Sequence, residues 1–181
     1  MLQKITYPLT PTSFSIDLDA LNNQFNRVCV FDSNAQSNDT TFISCSKLIA
    51  IGCVQEIIIK EGDNALQQLQ QFIDVSKGWL FGYLSYDLKN EIENLYSNNE
   101  DGVQFPLLHF FSPLLILEVS PENAWAHFND LYISKTKVES ILESITLPKH
   151  SLPETISKVD IQSKITKQQY LTAVGALQQH I

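Results

Sequence analysis

Four histidines (His109, His127, His150, His180) and three cysteines (Cys29, Cys45, Cys53) are the residues best suited to metal binding or proton transfer. A metal site needs such ligands in close, regular spacing. None of the histidines has a cysteine or carboxylate at that spacing, so each reads as isolated, and His127 as a surface or internally satisfied residue. Ser33, Ser85 and Ser112 lack the strand–elbow–helix context of a nucleophile. Glu91 and Glu93, two apart, fall on different faces of a helix and suit solvent better than acid–base work. No glycine-rich phosphate loop is present. The residues assign no catalytic and no metal-binding position.

The elements around them suggest one domain of ordinary size with a short piece of a second. The chain has 181 residues, 44% hydrophobic, with net charge −8 and a single arginine, Arg27. An acidic chain without a basic patch argues against nucleic acid and anionic membranes as partners. No apolar run is long enough to span a bilayer, and the start has no signal-peptide layout. An odd cysteine count without metal spacing reads as reduced, buried thiols in a cytoplasmic protein.

Taken in order, residues 1–16 look extended and peripheral. Asp17 caps a short helix bearing Leu18, Leu21 and Phe25, and a strand follows from Arg27 to Asp32. Asn34 to Thr41 is a polar loop. Phe42 to Ile59 reads as a meander of strands, in which Leu48 to Val54 is apolar enough to be covered on both faces. Asp63 caps an amphipathic helix with Ala65, Leu66, Leu69, Phe72 and Ile73 on one face. Leu114 to Val119 and Ala124 to Phe128 form a hairpin. Thr136 and Glu139 form a capping box for a helix with Val138, Ile141, Leu142 and Ile145 inward. Residues 147–163 read as a linker. A second capping box, Thr166 with Gln169, opens a last helix whose stripe is Tyr170, Val174, Leu177 and Ile181. Turns too short for parallel crossovers predict an antiparallel α+β fold.

The most specific run is Gly78-Trp79-Leu80-Phe81-Gly82-Tyr83-Leu84-Ser85-Tyr86-Asp87-Leu88. Gly82 interrupts a strand pattern, which is a cost unless another backbone needs the room. Asp87 to Leu95 reads as a short helix capped by Asp87, with Leu88, Ile92 and Leu95 on one face. This run resembles the amino-terminal domain of the chorismate-utilising synthases. Val30-Phe31-Asp32-Ser33, Phe105-Pro106 with Phe110-Phe111-Ser112-Pro113, and Ile165 to Ile181 agree with it in order and spacing. The stretch before Val28 is short, which resembles the aminodeoxychorismate (para-aminobenzoate) branch more than the anthranilate branch.

The resemblance implies two antiparallel sheets packed as an orthogonal sandwich with helices outside, as the first half of a larger fold. It implies an amino-terminal domain over residues 1–146, a linker over 147–163, and over 164–181 the opening helix of a carboxy-terminal catalytic domain. Magnesium, chorismate and a glutamine amidotransferase partner belong to the intact enzyme. Its catalytic motifs have no counterpart here. Ser33 matches a serine that lines a tryptophan pocket in the family, with Phe31 and Phe42 at its wall positions. A hydroxyl between apolar walls suits an amino acid ligand.

Overall fold

A computed structural model describes residues 2–7, 16–33, 47–62, 64–76, 78–93, 95, 101–120, 124–145 and 162–180. The expected class holds: helices accompany two wholly antiparallel sheets. The larger sheet has strand order β1-β8-β7-β3-β2, with β1 Leu2–Tyr7, β2 Val28–Asp32, β3 Lys47–Ile51, β7 Leu115–Val119 and β8 Ala124–Asn129. The smaller has order β4-β6-β5, with β4 Gln55–Ile59, β5 Phe81–Leu84 and β6 Leu108–Ser112. Four α-helices are described: α1 Leu18–Gln24, α2 Ala65–Ser76, α3 Lys135–Ile145 and α4 Lys167–Gln178.

Alternation along β3 and β7 divides the core. Ile49, Ile51, Leu115 and Leu117 face one way, onto Leu21 of α1 and Val138, Ile141, Leu142 and Ile145 of α3. Ala50 and Ile116 face the other way and meet Phe81 and Phe111 of the smaller sheet. This is why Leu48 to Ile51 is apolar almost throughout: β3 is covered on both faces, as its pattern predicts. The far face of the smaller sheet carries Ile57, Ile59, Leu108 and Phe110, packed on Ala65 and Leu69 of α2. The hairpin of β7 and β8 has the expected register, closing at Val119 opposite Ala124.

As expected, the start of the chain is extended and peripheral: Leu2–Tyr7 is an edge strand, β1, paired with β8 along its length. Several other local expectations are corrected. The predicted meander breaks after β3, because β3 and β4 belong to different sheets. Gly52 turns this corner with φ +71°, a conformation that favours glycine, and a Cβ there would lie 3.0 Å from Leu114 Cβ. The segment after β5 is a 3₁₀ turn, Tyr86–Glu91, with Ser85 rather than Asp87 at its N-cap. Only Leu88 of its expected face is buried; Ile92 is 71% exposed. At α3, Ser134 rather than Thr136 caps the helix, accepting from Lys137 N at 3.3 Å. Asp63 and residues 147–161 lie outside the described residues.

The chain divides into two compact units, Met1–His150 and Ser151–Ile181. In the second, Thr166 and Gln169 form the expected reciprocal capping box of α4. Tyr170 and Leu177 of its stripe are exposed. A shallow groove at its start is lined by Ser163, Lys164, Ile165, Thr166, Lys167 and Tyr170.

Candidate functional site

Two of the three residues singled out for ligand chemistry, Phe31 and Ser33, lie at the end of β2, an edge strand. Register places Phe31 opposite Leu48 and Cys29 opposite Ala50, so these side chains point toward the smaller sheet. Phe31 is half-exposed, with its ring 6.0 Å from that of Phe81. Ser33 follows at the exposed strand end. Cross-strand partners Asp32 and Lys47 form an ion pair of 3.0 Å beside it. Phe42 lies outside the described residues. The structure therefore brings Phe31 and Ser33 together at one sheet edge and leaves the second wall position, Phe42, unplaced.

From Phe31 a row of rings runs across the smaller sheet. Phe81 and Tyr83 alternate on β5, as His109 and Phe111 do on β6, so all four share one face. Phe81 stacks on Trp79 at 6.1 Å and touches Phe111 at 6.3 Å. Phe111 neighbours His109 at 6.3 Å, His109 meets Tyr83 edge-on at 6.2 Å, and Tyr83 reaches Phe105 at 5.7 Å. Such tilted and edge-on contacts suit ring quadrupoles. Gly82, between Phe81 and Tyr83, sits opposite Phe110, where its missing side chain lets β5 and β6 approach.

His109 is not isolated. Its Nε2 lies 2.9 Å from Glu56 Oε2, and Arg27 grips the same carboxylate through Nε at 2.8 Å and Nη2 at 3.2 Å. Arg27 enters the larger sheet just before β2, while Glu56 and His109 belong to the smaller, so Glu56 clasps the two sheets together. Sequence reading missed this because the partners are 29 and 53 residues from Glu56. The β4–β6 register, which pairs Glu56 with Phe111, puts it on the face of His109, and no signal in the sequence gives that register. His127 is likewise satisfied, 2.9 Å from Glu118. Glu91 is not a solvated residue either; its carboxylate accepts from Ala65 N at 2.6 Å and Leu66 N at 3.3 Å, capping α2.

The Arg27 hydrogen bonds, aided by His109, hold the Glu56 carboxyl below its ordinary range, against the opposing effect of partial burial. A depressed carboxylate pKa in the folded state contributes stability that is present above the unfolded value, about 4.3. That contribution is lost as pH falls through the folded value. The side chains of Arg27 and Glu56 are each 31% exposed, so water screening limits the clasp to about 1 kcal/mol. Glu56→Gln is expected to cost about that much at pH 7 and to flatten the acid limb of stability below about pH 4.3, measured by urea unfolding across pH. An unchanged acid limb would remove the clasp from the account.

A carboxylate gripped from both sides stays ionised and fixed, which suits holding rather than proton transfer. Burial pushes the thiols of Cys29 and Cys53 upward, away from nucleophilic reactivity, and both are free. Cys45 lies outside the described residues. Among the described residues no three His, Cys, Asp or Glu side chains gather in a way that could hold a metal ion.

The family model of the chorismate binding enzyme matches residues 23–181, from the end of α1 onward. The chain belongs to the chorismate binding enzyme family. No curated protein matches it. In this chorismate binding enzyme chain, the matched span contains β2 with Ser33, the Glu56 clasp and the whole Gly78–Leu88 run. No described helix is long and apolar enough to cross a membrane.

Proposed function

We propose that this chain is the amino-terminal part of aminodeoxychorismate synthase component I. The intact enzyme converts chorismate, with ammonia released from glutamine, to 4-amino-4-deoxychorismate for para-aminobenzoate and folate synthesis. The family match over residues 23–181 supports the chorismate-utilising class of enzyme, and the choice of member rests on the resemblance of the motifs. The amino-terminal placement is supported by motif order: the Val30–Ser33 strand, the Gly78–Leu88 run, the Phe105–Pro113 segment and the helix beginning near Ile165. In this reading residues 1–146 are the domain, 147–163 a linker, and 164–181 the first helix of the carboxy-terminal chorismate-binding domain. That domain supplies the chemistry and the magnesium site, and a glutamine amidotransferase subunit supplies ammonia. The proposed setting is cytoplasmic.

Product analysis of the intact protein tests this. With chorismate, magnesium and ammonium, 4-amino-4-deoxychorismate is the expected product. Anthranilate as the sole product would move the protein to the neighbouring branch.

A second reading, a regulatory module holding tryptophan, draws on the placement of Phe31 and Ser33 together at the end of β2. Phe42 would form a further wall. Calorimetry with tryptophan on the wild-type chain and on Ser33→Ala separates the two readings.

A further inference from the structure

We infer that the 3₁₀ turn Tyr86–Glu91 is a latched strap, hinged at Ser85 and fastened to the start of α2 by Glu91. Three observations describe its parts. At the hinge, Ser85 N donates to Leu107 O at 2.9 Å, anchoring the backbone where β5 ends. At the far end the Glu91 carboxylate caps α2, accepting from Ala65 N and Leu66 N. Between them Leu88 alone is driven inward, into a socket of Ile59, Ala65, Leu69 and Leu108.

The strap has its own internal stiffness. Lys89 Nζ lies 3.1 Å from Asp87 Oδ1 and 4.6 Å from the ring centre of Tyr86, which is itself 82% exposed. Ile92 and Glu93 both donate to Lys89 O, at 3.0 and 2.8 Å. These contacts tie the turn into a compact knot.

Two features set the latch against its release. The first-turn N–H groups of a helix need acceptors, and a carboxylate there also meets the positive end of the helix dipole. An ordinary N-cap residue has extended backbone and supplies its own side chain. Asn64, whose carbonyl accepts from Gln68 N, instead has a left-handed backbone with φ +68°. The cap comes from Glu91, 26 residues beyond Ala65. Opposing it, Ser85 Oγ is buried with no hydrogen-bond partner among the described residues. A buried hydroxyl without a partner disfavours the closed state, because opening returns it to water. The closed strap is therefore held by Leu88 and Glu91 and loosened by Ser85. Opening would lift the Tyr86–Lys89 knot and uncover the Leu88 socket.

The two polar residues must then shift the strap in opposite directions. Native-state hydrogen exchange on the whole 181-residue chain reads this at the amides of Ala65, Leu66, Leu88, Ile92 and Glu93. Glu91→Ala is expected to speed exchange at those amides about five- to tenfold, the scale of a lost helix cap, while amides of β3 and β7 keep their rates. Glu91→Gln, which retains an acceptor but not the charge, should fall between. Ser85→Ala should slow exchange at the same amides. Unchanged strap amides in Glu91→Ala would overturn the latch. So would equal acceleration across β3 and β7, since the turn would then be part of the global fold. Faster strap exchange in Ser85→Ala would overturn the opposing role of the hydroxyl.

Discussion

Gly82→Ala is expected to destabilise the Met1–His150 unit by about 3 kcal/mol or more, through overpacking against backbone that cannot yield. A Cβ at this position would collide with the His109 carbonyl oxygen and lie 2.6 Å from Phe110 Cα. Both atoms belong to β6, the central strand of the smaller sheet, which is pinned on its other side by β4. A flexible side chain could swing away, but a paired strand can move only by giving up its ladder. The ring of Phe110, 2.8 Å from the same point, packs toward α2, so displacement would spread into that core. A loss of this size is a large share of the roughly 5–15 kcal/mol that holds a domain folded. Urea unfolding should show a much lower midpoint, or the variant should fail to accumulate as folded protein. Gly175→Ala is the control, because nothing lies within 4 Å of a Cβ there. It should leave the midpoint of the Met1–His150 unit unchanged. A Gly82→Ala midpoint equal to wild type would mean that β5 and β6 are not as closely paired as described.

The glycine shows what a sequence can reveal. Its place inside an alternating strand marked a close backbone approach, and β6 is that backbone. Local patterns were similarly legible. The β7–β8 hairpin, the inward face of α3 and the doubly covered β3 each follow from apolar spacing within a few residues. Which sheet a strand joins was not legible, because alternation defines a strand but not its partner. The meander reading therefore ran across Gly52, where the chain leaves one sheet for the other. The segment after Tyr86 has helical spacing at Leu88, Ile92 and Leu95, yet only Leu88 finds a socket, and the turn closes as a 3₁₀ segment.

Polar contacts were the least legible. Glu56 with Arg27 and His109, and Glu91 with the start of α2, join residues from 25 to 53 positions apart. No local pattern encodes such distances. At the candidate site the sequence placed Ser33 at a strand end. That this strand is an edge, and that Phe31 leans on Phe81, depend on tertiary pairing. The wall position of Phe42 lies outside the described residues.

The second large effect concerns catalysis, and it follows from the proposed division of labour. His109, His127 and Glu91 are committed to structural contacts: His109 to Glu56, His127 to Glu118, and Glu91 to the start of α2. A carboxylate held ionised by an arginine has no proton to give near neutral pH, and a histidine tied to it is fixed in orientation. The family's reaction needs groups that stabilise charge developing on chorismate, and such preorganised groups are commonly the largest part of catalysis. In the proposed enzyme they come from the carboxy-terminal chorismate-binding domain. Removing that domain should remove turnover altogether rather than weaken it.

Chorismate consumption tests this most directly. The 181-residue chain, with chorismate, magnesium and ammonium, should consume no more chorismate than a protein-free blank, followed by absorbance. Co-expressed with the carboxy-terminal chorismate-binding domain of the same protein, it should give turnover. Consumption above the blank by the chain alone would contradict the account, as would a co-expressed pair that binds together and still leaves chorismate untouched.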